Sequence, residues 1–379
     1  MRRLKVCVVT AARSEYGLLR WVMKEIADSR DMALQLIVTG AHLSSEYGLT
    51  WKEIEADGFA IDARVDMGLA SDDAVSLVRS MGRCSIGIAD ALETLRPDWL
   101  MVLGDRYELL PICSAALVMR IPIAHISGGD ITLGAIDDQI RNAVSKMASL
   151  HFPGTEKSAE RLVSMGEEPE RVYAVGEPGL DNIRRLPRMS REELAADLGL
   201  NPGKKWALFA YHPETKLSSS ENMKTLRAAL NAVLGIQDMI SVATYANADH
   251  GGQKINAYLE SMAEKVPEKL KVQKSLGQRR FVSFMAECVL MAGNSSSGIV
   301  EAPLFGIPVL NIGERQKGRH LCTNVHSCDS SPRAIEETLS MLERAGFPKA
   351  DPDHYYGDGQ SAERIVGIFR EKAPLLGCK

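Results

Sequence analysis

Short unbroken apolar runs alternate along this chain with longer segments in which apolar positions return every three or four residues. In the first half the runs are LKVCVVT (4–10), LQLIVTG (34–40), DWLMVLG (98–104) and IPIAHIS (121–127). Continuous rather than alternating hydrophobicity is the mark of strands buried on both faces, as in a parallel sheet. The intervening segments, Tyr16 to Ala27, Asp73 to Leu95 and Leu109 to Met119, are long enough for crossover helices. The register restarts with KWALFAYH (205–212), DMISVATYA (238–246), ECVLMAGN (287–294) and IPVLNIG (307–313), so a second parallel sheet is predicted. Between the halves, EPGLDNIRRLPRMSREELAADLGLNPGKK carries three prolines and mixed charge and reads as a linker with short helices. The expected architecture is α/β, two Rossmann-like parallel-sheet domains facing across a cleft lined by strand-end loops. The boundary is placed near residue 185, giving domains 1–185 and 186–379, with the last helix, Ser361 to Lys372, expected to cross back to the first on fold analogy.

A length of 379 residues suits two domains of roughly 150 to 200 each. With 45% hydrophobic and 25% charged residues the chain is neither disordered nor fibrous. Lys plus Arg total 45 against 49 Asp plus Glu, a formal charge of -4, so no global basic field exists to hold nucleic acid. A small anionic ligand needs only a local patch. Seven cysteines (7, 84, 113, 288, 322, 328 and 378) lack the paired spacing of thiolate metal sites and read as reduced thiols. The first apolar run is too short for a signal segment, and no stretch approaches the roughly 20 apolar residues of a membrane helix. A cytoplasmic protein without a membrane partner is expected. HExxH spacing is absent and the histidines are scattered, so no essential metal is expected.

The richest stretch for chemistry is AGNSSSGIVEAPLFGIPVLNIGERQKGR (292–319). An apolar strand ends in Gly293-Asn294-Ser295-Ser296-Ser297-Gly298 and runs into a helical segment beginning near Ile299. Free backbone N–H groups, hydroxyls and a helix amino terminus favour a phosphate, and a diphosphate fits. An ordinary N-cap accounts for one serine but not three between glycines. Glu301, in the first turn of that helix, is either a dipole-matched carboxylate or an acceptor for a ribose diol; Arg315, Lys317 and Arg319 add cationic donors or a solvated basic run. Arg13 follows the first strand in TAARSEYG and offers a planar fork to phosphate. Neither GxGxxG nor GxxxxGK follows that strand, which argues against redox and NTP-hydrolysing readings. Asp105 stands just past a buried strand in MVLGDRYE, and Asp130 and Asp137 follow the next strand in AHISGGDITLGAIDDQIRN, where Asp137 opens a helix or caps it. Several acids in one cleft allow one to stay protonated while another is ionised, as acid–base catalysis requires. His42 and His212 sit at strand ends, whereas His125 falls inside an apolar strand and reads as a core residue.

In order along the chain, VVTAARSEYG, VTGAHL, GDRYE, HISGGD, AIDD, FAYHPET, GNSSSGIVEAP and NIGERQKGR resemble the hydrolysing UDP-N-acetylglucosamine 2-epimerases of sialic acid biosynthesis, within the wider sugar-nucleotide 2-epimerase family. The resemblance covers nearly the whole chain. It implies the GT-B arrangement, with UDP held mainly by the second lobe and the amino sugar directed towards the first. Carried over by motif, Ser295 and Ser296 would bind the diphosphate, Glu301 the ribose, and Arg13, His212 and Arg315 the nucleotide region. His42, Asp105 and Asp137 would face the sugar, Arg106 would contact substrate, and the catalytic set would be Asp105, Asp130, Asp137 and His212. The implied reaction is anti elimination of UDP to a 2-acetamidoglucal followed by hydration, releasing N-acetylmannosamine and UDP without a cofactor. Many relatives carry glutamate after the His-Ile of this HIxGG stretch where this chain has Ser127, so the acid–base roles stay open.

The alternatives are a hydrolysing 2-epimerase of UDP-N,N'-diacetylbacillosamine on the route to legionaminic acid, a non-hydrolysing epimerase, a GT-B glycosyltransferase and a non-catalytic binder. A transferase gives no reason for acids after two successive first-lobe strands, and a binder gives none for acids costly to desolvate. A homo-oligomer, dimer or tetramer, is expected from enzyme size alone.

Overall fold

Residues 2–45, 48–69, 73–131, 136–214, 217–246 and 252–376 are described by the computed structural model. Parts of the segments quoted above, including 132–135, Thr215 and Cys378, lie outside them. The eight apolar runs all become strands, and four more join them at the sheet margins. The first sheet holds β1 (Leu4–Thr10), β2 (Met32–Thr39), β3 (Ala63–Val65), β4 (Trp99–Leu103), β5 (Ile123–Ile126) and β6 (Leu150–Phe152) in the order β3-β2-β1-β4-β5-β6. The second holds β7 (Lys205–Ala210), β8 (Met239–Thr244), β9 (Leu270–Gln273), β10 (Leu290–Gly293), β11 (Val309–Ile312) and β12 (Val325–Cys328) in the order β12-β11-β10-β7-β8-β9. Every pairing is parallel. Counted from its own first strand, the second sheet repeats the 3-2-1-4-5-6 order of the first.

β3, β6, β9 and β12, which the apolar runs did not announce, are the four sheet edges. Each is only three or four residues long, and three of them carry half-exposed positions. An edge strand has one covered flank and needs no continuous apolar run. Central β1 shows the opposite logic. Val6 and Val8 pack with Leu19, Met23 and Phe369 on one face, while Cys7 and Val9 pack with Ile88 and Ile112 on the other. Full burial of such side chains contributes roughly 1.5–3 kcal/mol each.

The chain forms two compact units, Met1–Asp181 with Tyr356–Lys379, and Asn182–Tyr355. The boundary therefore falls at 181/182 rather than near 185, and the residues from Tyr356 onwards belong to the first unit instead of the second. Two contacts explain this. Phe369 of the helix Ser361–Lys372 meets Trp99 of β4 edge-on at 5.2 Å between ring centroids. The buried Asp181 carboxylate accepts the backbone N–H groups of Ser361 and Ala362, both at 2.8 Å, and so ties down the start of that helix. Six cysteines are free thiols. Among the described residues no helix is long and apolar enough to cross a membrane.

Candidate active site

In a 3-2-1-4-5-6 sheet the connections leave strands 1 and 4 in opposite directions, which opens a crevice beyond their carboxyl ends. In the first unit these strands are β1 and β4, and a pocket of about 370 Å³ lies there. Glu15, Asp105, Arg106 and Asp137 are among its lining residues, and Leu18, Ile136 and Ile140 contribute apolar surface.

Asp105 forms an ion pair with Arg141, whose side chain is only 7% exposed, on the helix Asp137–Met147. Arg141 Nη1 also donates to the Asp130 carbonyl at 2.8 Å. Arg161 Nη1 donates to the same carbonyl at 2.6 Å, and its Nη2 lies 3.3 Å from Asp138 Oδ2. Two arginines thus hold the turn after β5, and the Asp130 carboxylate accepts from Ser158 Oγ at 2.5 Å. Asp137 opens its helix and takes no N-cap role; its carboxylate makes no hydrogen bond or ion pair among the described residues. Ser127, at φ 58°, sits in the left-handed region, a strain of about 1–2 kcal/mol for a residue with a Cβ. Its N–H donates to Phe152 O at 2.9 Å, and Gly129 continues the turn at φ 82°. His125 is fully buried, and burial pushes its pKa down to about 4. The neutral ring donates from Nε2 to Gly104 O (2.8 Å) and accepts at Nδ1 from Ser145 Oγ (3.1 Å), locking the ends of β4 and β5.

Two expected residues lie elsewhere. His42 is wholly buried, with Nε2 3.0 Å from Thr10 Oγ1 and Nδ1 2.7 Å from Thr50 Oγ1; burial lowers its pKa to about 4. Both nitrogens are occupied, so the ring braces the ends of β1 and β2. The turn Gly40–Leu43 after β2 carries it inward. Arg13 has 60% of its side chain exposed and pairs with Glu53 at 2.9 Å.

Sequence reasoning missed Glu15, Glu108 and Arg141. Glu15 Oε2 accepts the N–H groups of Ala11 (2.8 Å) and Ala12 (3.1 Å), fixing the turn after β1, while Oε1 is buried without a hydrogen-bond partner among the described residues. Burial raises its pKa to about 7, opposed by the charge of Arg106. Glu108, fully buried, accepts from Arg106 Nη2 at 2.7 Å and aims that guanidinium. The signal for Glu15 was half a capping box, a glutamate three residues past the turn without the usual Ser or Thr.

In the second unit the corresponding strands are β7 and β10, and Asn294 joins them. It is fully buried; Oδ1 accepts from His212 N at 2.7 Å and Nδ2 donates to His212 O at 2.8 Å. Its carbonyl accepts from Arg315 Nη1 (3.1 Å) and Gln316 Nε2 (2.9 Å). His212, Ser295, Ser296 and Arg315 are thereby gathered around one turn. Gly293 makes the turn possible: at φ 133° a Cβ would lie 2.0 Å from Ala210 O. The helix after the serines starts at Ser297 and ends at Val300, and Glu301 stands at its junction with Ala302–Phe305 rather than in a first turn. Burial raises the Glu301 pKa to about 7, against the nearby charge of Arg319. Lys317 is drawn to Glu314 at 2.7 Å, leaving Arg315 as the cation bonded to the turn. Among the described residues no cluster of three or more His, Cys, Asp or Glu is arranged to hold a metal ion.

The model of the UDP-N-acetylglucosamine 2-epimerase family matches residues 24–370. The chain is 40% identical over 347 residues, 92% of its length and 89% of the relative's, to the Campylobacter jejuni GDP/UDP-N,N'-diacetylbacillosamine 2-epimerase (hydrolyzing). It is 35% identical over 366 residues, 97% of its length and 95% of the relative's, to the Legionella pneumophila UDP-N,N'-diacetylbacillosamine 2-epimerase (hydrolyzing). The crystal structure of the Neisseria meningitidis UDP-GlcNAc 2-epimerase bound to UDP-GlcNAc is similar in fold, with a TM-score of 0.74, 19% identity and coverage of 97% of this chain and 100% of that one.

Proposed function

Because the chain belongs to the UDP-N-acetylglucosamine 2-epimerase family, we propose that it is a hydrolysing 2-epimerase acting on UDP-N,N'-diacetylbacillosamine. The motifs alone favour UDP-N-acetylglucosamine and the sialic acid branch; the two curated relatives at 40% and 35% identity turn the reading to the diacetamido sugar. The observation that carries the chemistry is the pairing, on one pocket, of an arginine-bound carboxylate (Asp105) with one free of partners among the described residues (Asp137).

The C2 proton of the sugar is not acidic, so its removal must be coupled to departure of the stabilised diphosphate. Asp137, which makes no ion pair among the described residues, takes that proton as the C1–O bond breaks. Both electrons of that bond leave with UDP and the C2–H pair becomes the C1=C2 bond. Asp105, paired with Arg141, stabilises positive charge developing at C1. Water then adds, hydroxyl to C1 and a proton to the opposite face of C2, and the free 2-epimer is released. Asp130 is a second carboxylate available to return that proton. In the second unit, Ser295, Ser296 and Arg315 take the diphosphate with His212, and Glu301 takes the ribose; in the first unit, Arg13 and Arg106 offer cationic contacts to the substrate.

Incubation with UDP-N,N'-diacetylbacillosamine in D2O tests the reading: UDP and a free 2-epimer carrying deuterium at C2 are expected. Release of UDP without inversion at C2 overturns the reaction. Faster turnover of UDP-N-acetylglucosamine in the same assay overturns the substrate and returns the sialic acid reading.

A further inference from the structure

The turn that gathers Arg315 also holds a buried carboxylate, Glu214, two residues beyond His212. Its backbone is gripped as that of His212 is, by the side chain of a buried asparagine. Asn222 Oδ1 accepts from Glu214 N at 2.8 Å, and Asn222 Nδ2 donates to Glu214 O at 3.1 Å. Alternate residues past β7 are thus each fixed through both backbone groups, one by Asn294 after β10 and one by Asn222 on the helix Ser219–Gly235. A side chain on so fixed a backbone has a defined reach. Glu214 Oε1 extends to the turn after β11, where the Glu314 N–H donates to it at 3.3 Å. Gly313, at φ 81°, closes round that oxygen, and a Cβ on it would collide with Oε1. Arg315 comes next in the chain, with Nη1 donating to Asn294 O at 3.1 Å.

A carboxylate beside a diphosphate site repels the ligand unless the protein answers its charge. Desolvation holds the Glu214 carboxyl above the ordinary glutamate range, opposed by the Glu314 N–H and by the charge of Arg315, while the Glu314 carboxylate adds to the rise. That second carboxylate is itself drawn to Lys317 at 2.7 Å. Resting on the proposed function, which puts the diphosphate at Arg315, we propose that Glu214 is a positioning residue: it fixes the Gly313–Arg315 turn and presents the Arg315 guanidinium to the diphosphate before the ligand arrives. It touches no reacting atom. Preorganisation of this kind removes part of the ordering cost of binding. Its benefit passes through Arg315 and disappears when that guanidinium is gone.

A double-mutant cycle on the UDP dissociation constant, measured by calorimetry on the whole chain, tests this. Glu214→Ala is expected to weaken UDP binding about tenfold in the unaltered background and by less than about twofold in the Arg315→Ala background. Glu214→Gln keeps an oxygen for the Glu314 N–H and loses the charge facing Arg315, so a loss of about threefold is expected of it, again only where Arg315 is present. Damage to the fold alone would add to the Arg315→Ala loss instead of merging with it. Unchanged or tighter UDP binding in Glu214→Ala, or a tenfold loss that persists without Arg315, overturns the assignment. Should the alanine variant fail to fold, the glutamine variant is read through the same cycle, and a loss that is absent or independent of Arg315 overturns it. If UDP does not bind the unaltered protein, the nucleotide reading has failed; the cycle is then run with inorganic pyrophosphate against the same criteria, and pyrophosphate that does not bind overturns the role of Glu214 as well.

Discussion

The two units share a strand order and differ in what they place at the same crevice. Beyond β1 and β4 stand carboxylates held by arginines, with Asp105 on Arg141 and Glu108 on Arg106. Beyond β7 and β10 stand hydroxyls, backbone amides and Arg315, gathered by the side chain of Asn294. One scaffold has been decorated twice, once with carboxylates paired to arginines and once with hydroxyls beside a cation. Topology therefore locates both sites without specifying either, and function lies in the residues of the strand-end turns.

Removing the charge on the acidic side gives the largest effect. Asp105→Asn is expected to lower turnover by about 10²- to 10⁴-fold while the UDP dissociation constant, measured by calorimetry, changes little. A near-normal rate would take Asp105 out of the catalytic set, and a lost UDP affinity would mean the division of labour is wrong. Asn294→Ala comes next. It leaves His212 N and O without their partners, which costs roughly 1–3 kcal/mol for each buried group. Denaturant unfolding should show a loss of roughly 2–6 kcal/mol for the two groups together, with weaker UDP binding. Arg315→Ala is expected to weaken UDP binding about tenfold with little change in unfolding free energy, as for loss of one hydrogen bond to a charged group.

A smaller effect separates the two units by pH. Each holds a carboxyl whose pKa desolvation has raised to about 7, the buried Glu15 in the first and the half-buried Glu301 in the second. The folded state keeps the Glu15 proton up to about 7, while an unfolded glutamate releases it near its ordinary value of 4.5. Stability linked to this group is therefore complete at low pH and declines as pH rises across that window. Glu15→Gln should remove up to about 1.4 kcal/mol per pH unit of that slope and leave the share due to Glu301. An unchanged slope would show that Glu15 is ionised throughout. Last, Arg13→Ala breaks only an exposed pair with Glu53, and its unfolding free energy should move by under about 1 kcal/mol. An unchanged UDP affinity in the same variant would take Arg13 out of the proposed binding set.

Much of this was legible in the chain. LKVCVVT became β1 residue for residue because a strand buried on both faces writes itself as an uninterrupted apolar run. β9 and β12 were not legible, since LKVQ and VHSC at sheet edges satisfy only one flank. Asp105, Ser295 and Arg315 could be read because each directly follows or ends a recognisable strand and turn. His42 carried the same signal and is a brace, because nothing local says that Thr10 and Thr50 close on its two nitrogens. Arg141 and Asn294 were hidden for the converse reason. Their partners lie 36 and 82 residues away in sequence, and only the folded sheet brings them together.

The helix Ser361–Lys372, which joins the unit begun by the first strand, sets an order of events for synthesis. Until Phe369 emerges, Trp99 lacks its aromatic neighbour and Asp181 has no helix to anchor. The half of the enzyme that is translated first is thus the half completed last. A nascent chain halted before Tyr356 carries a finished second unit and an unsealed first one.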